Sequence, residues 1–198
     1  PNQVIQAANG IQAAKRAASP FIVRLSAGAV QGMPGALPRV SAQHAEIDEM
    51  LKASGLSYNI LRPHFFMQNT MMAAQTVASE GAVYMPIKDG NIGMIDARDI
   101  LDVAVKVLTE NGHEGKTYTL TGPASISFHE VAAALSKAVG KRVTYVDVPL
   151  ETAREGMKGM GMSEWMSDAM TEYFRAFSEG YGDNTSPDVE KVTGKPAR

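Results

Sequence analysis

From position 62 to position 69 the chain reads Arg-Pro-His-Phe-Phe-Met-Gln-Asn. Pro63 ends an extended segment and fixes its backbone. Phe65 and Phe66 offer ring faces, while Gln68 and Asn69 offer carboxamide hydrogen bonds. A flat ring edged with polar groups suits that set. The same residues also read as core aromatics followed by an Asn that caps a helix. Two further positions carry groups able to do chemistry. Ser26 ends a short β-prone run, where its hydroxyl can bond a carbonyl or hydroxyl of a substrate, or its own backbone. His44 falls at a predicted helix start, where free amides and the helix dipole favour a neutral imidazole. It can act there as acid or base, donate to a ribose hydroxyl, or simply be exposed.

Other chemistries find less support. His44 and His64 stand 20 apart, which is no metal-ligand spacing, so no metal site is expected. The absence of cysteine excludes disulfides, thiolate metal sites and Cys nucleophiles, and fits a reducing cytoplasm. Gly28, Gly32 and Gly35 follow a strand but lack the spacing of a phosphate loop, and Pro34 and Pro38 keep a helix from opening there. Gly156, Gly159 and Gly161 follow no strand. Both sets read as turn and helix-end glycines. Asp96, Arg98 and Asp99 read as a capped helix start. Met157, Met160, Met162, Met166 and Met170 lie near helical spacing and suit either core packing or a pliable lid over an apolar substrate. Trp165, Tyr173, Phe174 and Phe177 belong to the same region.

The elements that must position these groups alternate. Helices are expected over residues 3–18, 41–54, 66–79, 97–109 and 127–140, and short strands over 21–25, 58–61, 83–87, 92–95, 117–120 and 143–148. Gly55 suits a helix C-terminus, and Ser127 with Glu130 forms a capping box. Residues 27–40, rich in Gly and Pro, must be a loop. This order predicts an α/β fold with a mostly parallel sheet covered on both faces. From Leu150 two Met-rich helical stretches follow without a clear strand. The expected division is a sheet domain over residues 1–149, then a small helical substrate cap and surface tail over 150–198. Open α/β sheets bind ligands at the carboxyl ends of their strands, which is where Ser26 and residues 62–69 fall.

Composition sets wide bounds. Hydrophobic residues make up 44% and charged residues 20%, as in ordinary globular domains. Lys plus Arg is 19 against 21 Asp plus Glu, a formal net charge of -2, so nothing calls for a nucleic-acid partner or an anionic membrane. No apolar run approaches the roughly 18 residues of a membrane helix. No signal peptide is visible, and a cytoplasmic location is expected. The chain opens on Pro1, compatible with truncation or processing.

The run from His44 to Asn69, with residues 95–100 (Ile-Asp-Ala-Arg-Asp-Ile) and 118–123 (Tyr-Thr-Leu-Thr-Gly-Pro), resembles the NmrA-like family. These are atypical short-chain dehydrogenase/reductases with an NAD(P)-binding Rossmann fold. The resemblance covers nearly the whole chain. It implies that the first βαβ units, about 60 to 80 residues with the GxxGxxG loop, lie outside this sequence. Exposed sheet edges would then favour a homo-oligomer.

The resemblance also implies roles. His44 falls where many members have a Lys that contacts the nicotinamide ribose. Val40, four positions earlier, stands where the wider superfamily has a Tyr. Pro63, Phe66, Met67, Gln68 and Asn69 match a segment that runs beside the nicotinamide, and Ser26 matches a small hydroxyl residue at its strand end. The implied catalytic residues are therefore Ser26 and His44. The implied cofactor contacts are His44, Pro63, Phe66, Met67, Gln68 and Asn69. The implied cofactor is NADP or NAD, with NADP preferred. The implied activity is hydride transfer to a small apolar acceptor such as a quinone or carbonyl compound. A non-catalytic NAD(P)-sensing protein is the alternative.

Overall fold

The computed structural model describes residues 2–19, 21–28, 30 and 32–198. Positions 29 and 31, in the expected Gly/Pro loop, lie outside the described residues. Helix α1 (Gln3–Arg16) precedes strand β1 (Ile22–Leu25), and α2 (Arg39–Lys52) connects β1 to β2 (Tyr58–Pro63). A 3-10 helix (Met67–Ala73) runs into the short α3 (Ala74–Glu80) and then β3 (Ala82–Met85). Helix α4 (Ala97–Thr109) leads to β4 (Thr117–Leu120). Helix α5 (Phe128–Val139) leads to β5 (Thr144–Asp147). Helices α6 (Leu150–Gly159), α7 (Glu164–Ser178) and α8 (Asp188–Thr193) follow.

Among the described residues all strand pairing is parallel, as the alternation predicts, but the five strands form two sheets. The first has the order β1-β2-β4, with Leu25 opposite Leu61 and Pro63 opposite Leu120. The second pairs β3 with β5. The expected strand over residues 92–95 is not formed. Ile92 and Ile95 make only isolated bridges, to Ile126 and Phe66.

Side-chain alternation along the first sheet separates its two faces. Arg24, Ser26 and Arg62 turn toward α2, where they meet Asp48. Val23, Leu61 and Leu120 turn the other way, into a cluster with Ile100, Val103 and Val107 of α4. A second cluster joins Val83 of β3 and Val143, which precedes β5, to Phe128, Met157, Tyr173 and Phe177. Residues 150–198 thus share cores with the preceding chain. The stretch expected as a surface tail returns to the first sheet. Val189 is 2% exposed, in the α4 cluster, and the Arg198 guanidinium pairs with Asp99 and Asp102. Its docking needs partners some 70 to 100 positions away, which no local pattern reveals.

Several ends form as the local chemistry dictates. Asp96 accepts a hydrogen bond from the Arg98 amide at 2.8 Å and caps α4. Ser127 and Glu130 complete the capping box of α5, and Gly140 closes that helix in the left-handed conformation.

Candidate active site at the carboxyl edge of the three-stranded sheet

The three strands of the first sheet deliver their exits side by side. The Ser26 amide donates to Leu61 O at 2.7 Å and the Gly28 amide to Pro63 O at 3.1 Å. Next along the rim, the His64 amide donates to Leu120 O at 2.9 Å. Ser26, His64 and Thr121 therefore follow β1, β2 and β4 on one edge. Gly28 permits this closeness. A Cβ there would stand 2.8 Å from the Arg62 carbonyl oxygen and 2.9 Å from its Cβ. Its role is close backbone approach, and its φ is not left-handed.

Beneath the rim lies a charge network centred on Asp48, whose side chain is 1% exposed. Arg24 Nε donates to Oδ1 at 2.7 Å. Ser26 Oγ donates to Oδ2 at 2.9 Å, and Arg62 donates to the same oxygen from Nε at 3.0 Å and Nη2 at 2.9 Å. A buried carboxylate persists only when it is paired and hydrogen-bonded, and this one is bonded on both oxygens. Two guanidiniums against one carboxylate leave the cluster with one net positive charge.

His44 joins the same network. Arg24 Nη2 stands 3.0 Å from its Nδ1, and the Gln3 carboxamide of α1 stands 3.2 Å from its Nε2. Burial, followed by the nearby Arg24 charge, holds the imidazole below its ordinary pKa. Helix α2 begins at Arg39, so His44 lies in its second turn and not at the start. The neutral ring expected from a helix dipole has a different cause here, since dipole effects fall off within the first turn. Ser26 and His44 are brought together through Asp48 and Arg24.

Residues 63–69 divide between tasks. Pro63 is buried as the last residue of β2. His64 stacks on Phe177 with ring centroids 5.9 Å apart, and Phe65 meets the same ring edge-on. Phe66 packs into the α4 cluster and Met67 into the other. The Gln68 carboxamide is engaged at both ends. Its nitrogen donates to Asp96 Oδ1 at 3.1 Å, and its oxygen accepts from the Ala97 amide at 3.0 Å. Asn69 is exposed, with no side-chain hydrogen bond among the described residues. The helix expected from residue 66 opens instead as a 3-10 turn, with Phe66 at its N-cap position and no side-chain cap.

The methionines split as well. Met157 is buried and Met162 and Met170 pack against its cluster, whereas Met160 and Met166 are exposed. Trp165 lies under the Arg39 guanidinium at 5.9 Å, and Arg39 Nε donates to Glu172 Oε1 at 2.8 Å. The Tyr173 hydroxyl meets Ser41 Oγ at 2.7 Å. Together these contacts fasten α7 to the opening of α2.

The NmrA-like family model matches residues 6–197. The chain belongs to the NmrA-like family. Among relatives of this NmrA-like chain, an NAD(P)H azoreductase of Xenophilus azovorans is 42% identical, aligned over 100% of the chain and 68% of its own length. Quinone oxidoreductase 2 of Escherichia coli strain K12 is 30% identical over 95% of the chain and 65% of its own length. The crystal structure of an Escherichia coli NADPH-dependent quinone oxidoreductase, complexed with NADPH, superposes with a TM-score of 0.88 at 28% identity. It covers 100% of this chain and 69% of that one. A Citrobacter triphenylmethane reductase complexed with NADP(H) shares the fold, with a TM-score of 0.84 at 24% identity over 98% of the chain and 68% of its own. The NmrA-like chain thus spans about half to two thirds of the length of the curated relatives it matches. No helix among the described residues is long and apolar enough to cross a membrane.

Sequence reasoning named Ser26 and His44 but missed Asp48, Arg24 and Arg62. A signal was present. Asp48 follows His44 by four positions and sits between Ile47 and Leu51 on the buried stripe of α2. A carboxylate on such a stripe needs a partner.

Proposed function

We propose that the chain forms part of an NAD(P)H-dependent oxidoreductase of the NmrA-like type that reduces a small, flat, apolar acceptor. Quinones come first, with azo and carbonyl compounds in the same class. The 42% identity to an NAD(P)H azoreductase over the whole chain carries this reading. The donor set fits the nicotinamide end of the cofactor. It comprises a hydroxyl at Ser26 and a neutral imidazole at His44 in a cluster of net positive charge, and, further along the chain, an exposed carboxamide at Asn69. That charge suits an anionic dinucleotide, and NADP is the preferred form. The cofactor supplies the hydride.

The chain's own residues would bind, orient and shield. Pro63, Phe66 and Met67 fix the backbone beside the ring, and Gln68 anchors that backbone to α4. Asn69 would bond the carboxamide edge. Ser26 and His44 would orient the ribose or the acceptor. Arg62, one third exposed, would face negative charge developing on the reduced acceptor. The methionines of α6 and α7, with Met33 and Phe65, would give the acceptor a pliable apolar wall. The substrate is a small molecule.

A second reading, an NAD(P)-sensing protein without turnover, is favoured by Val40 at the position where a catalytic Tyr would stand and by the engagement of both His44 ring nitrogens. One experiment separates the two. Protein expressed from the whole reading frame that encodes this chain is given NADPH and a panel of naphthoquinones, azo dyes and aldehydes, and NADPH oxidation is followed by absorbance. Turnover on the quinones or dyes supports the enzyme. Tight NADPH binding without turnover on any acceptor supports the sensor, and no NADPH binding refutes both.

A further inference from the structure

We propose that Asp48 is the positioning residue of this site, holding His44 through Arg24 as the Nε2–H tautomer. The argument is one of donor and acceptor counting. A guanidinium has donors and no acceptor. With Arg24 Nη2 at 3.0 Å from His44 Nδ1, that ring nitrogen must accept, so it carries no proton. The neutral ring then has its proton on Nε2. The Gln3 carboxamide lies with its nitrogen 3.2 Å from Nε2, an orientation that sets a donor against the N–H. Its oxygen and nitrogen exchange by a half-turn of the amide, and opposite an N–H it is the oxygen that belongs there.

Arg24 can hold this pose because Asp48 holds Arg24. The Nε–Oδ1 bond of 2.7 Å fixes the plane of the guanidinium and leaves Nη2 for the imidazole. The second carboxylate oxygen is occupied by Ser26 and Arg62, so Asp48 cannot rotate without losing three bonds. Charged groups face His44 from two elements, Arg24 on β1 and Asp48 on its own helix, while α1 presents only the neutral Gln3. The consequence is a site whose histidine offers a donor at Nε2 and takes no proton at Nδ1. A ligand reaches His44 by replacing Gln3 as the acceptor from Nε2–H, which fits a ribose or acceptor oxygen. This last step rests on the reading of the preceding subsection, whereas the tautomer does not.

Long-range 1H–15N correlation of uniformly labelled 198-residue chain, without ligand, reads the tautomer directly. The wild-type spectrum is expected to show a pyridine-type Nδ1 and a pyrrole-type Nε2 for His44 at about pH 8, with the ring taking up its proton at lower pH than an ordinary histidine. Arg24→Lys keeps the charge on Asp48 but lacks the fork that spans carboxylate and imidazole. Asp48→Asn keeps the volume and frees Arg24. Both variants are expected to show averaged tautomers at His44. An Nδ1–H ring or an averaged pattern in the wild type overturns the proposal. So does a wild-type pattern retained in either variant. If neither variant folds, the wild-type spectrum decides. Failure of NADPH turnover leaves this result untouched, so the two readings fail separately.

Discussion

Gly93→Ala and Gly10→Ala make the same chemical change and should move stability in opposite directions. Neither glycine has a left-handed φ, so backbone strain does not enter. A Cβ on Gly93 would overlap the carbonyl oxygen of Asn184, inside the 3.0 Å that real Cβ atoms respect. That neighbour is backbone and cannot swing away like a side-chain tip. Segment 181–186 must therefore lift. Two hydrogen bonds go with it, from the Gly93 amide to Gly182 O at 3.1 Å and from the Ser186 amide to Thr121 Oγ1 at 2.9 Å. At about 1 kcal/mol each, plus about 1 to 2 kcal/mol for overpacking, the loss is about 3 kcal/mol. Gly10 lies inside α1 with nothing within 4 Å of its would-be Cβ. Alanine there should stabilise by about 1 kcal/mol, through helix propensity and a less flexible unfolded chain. Urea unfolding at pH 7, read by circular dichroism, gives both numbers from the midpoints if the slopes agree. A loss below about 1 kcal/mol at Gly93, or any loss at Gly10, refutes the steric reasoning.

Two further outcomes are expected. Asp48→Asn should cost about 3 kcal/mol at pH 7, near the lower end for breaking a buried ion pair because Arg62 is one third exposed; midpoints within experimental error of wild type in urea would contradict the hub. The hydrogen bonds from Arg98 hold the Asp96 carboxyl well below its ordinary pKa. Its folded value is depressed, so its contribution is complete above the unfolded pKa of about 4 and is lost as pH falls below that. Stability should thus drop between about pH 4 and pH 2, and Asp96→Asn should flatten this acid limb; parallel acid limbs in urea titrations of the two proteins would contradict it.

Elements whose ends carry their own chemistry could be read from the sequence. Asp96 caps α4, Ser127 with Glu130 opens α5, and Gly140 closes it, because each partner lies within four positions. Elements defined by distant partners could not. Ile92 and Ile95 are as buried and β-branched as any strand residue, yet only isolated bridges meet them. Val189 looks like any apolar residue in a polar tail until α4 is placed beside it. The site divides the same way. Ser26 stood out by residue type and by its strand end, and His44 by residue type, although the helix start expected for it lies at Arg39. Asp48 was hidden because its partners, Arg24 and Arg62, are 24 and 14 positions distant and meet it only once two strands lie parallel. Gln68 was legible as a hydrogen-bonding side chain, but the groups that engage it are Asp96 and Ala97, 28 and 29 positions on.

Phe65 and Phe66 are neighbours in the chain and tenants of different cores, one against Phe177 and the other among the side chains around α4. The peptide between them is a seam stitched from both sides. Lifting it would unseat a ring in each half of the molecule. Sequence drift in the outer helices of either half therefore leaves the seam held by the other, and the segment proposed to face the cofactor can stay still while its surroundings change.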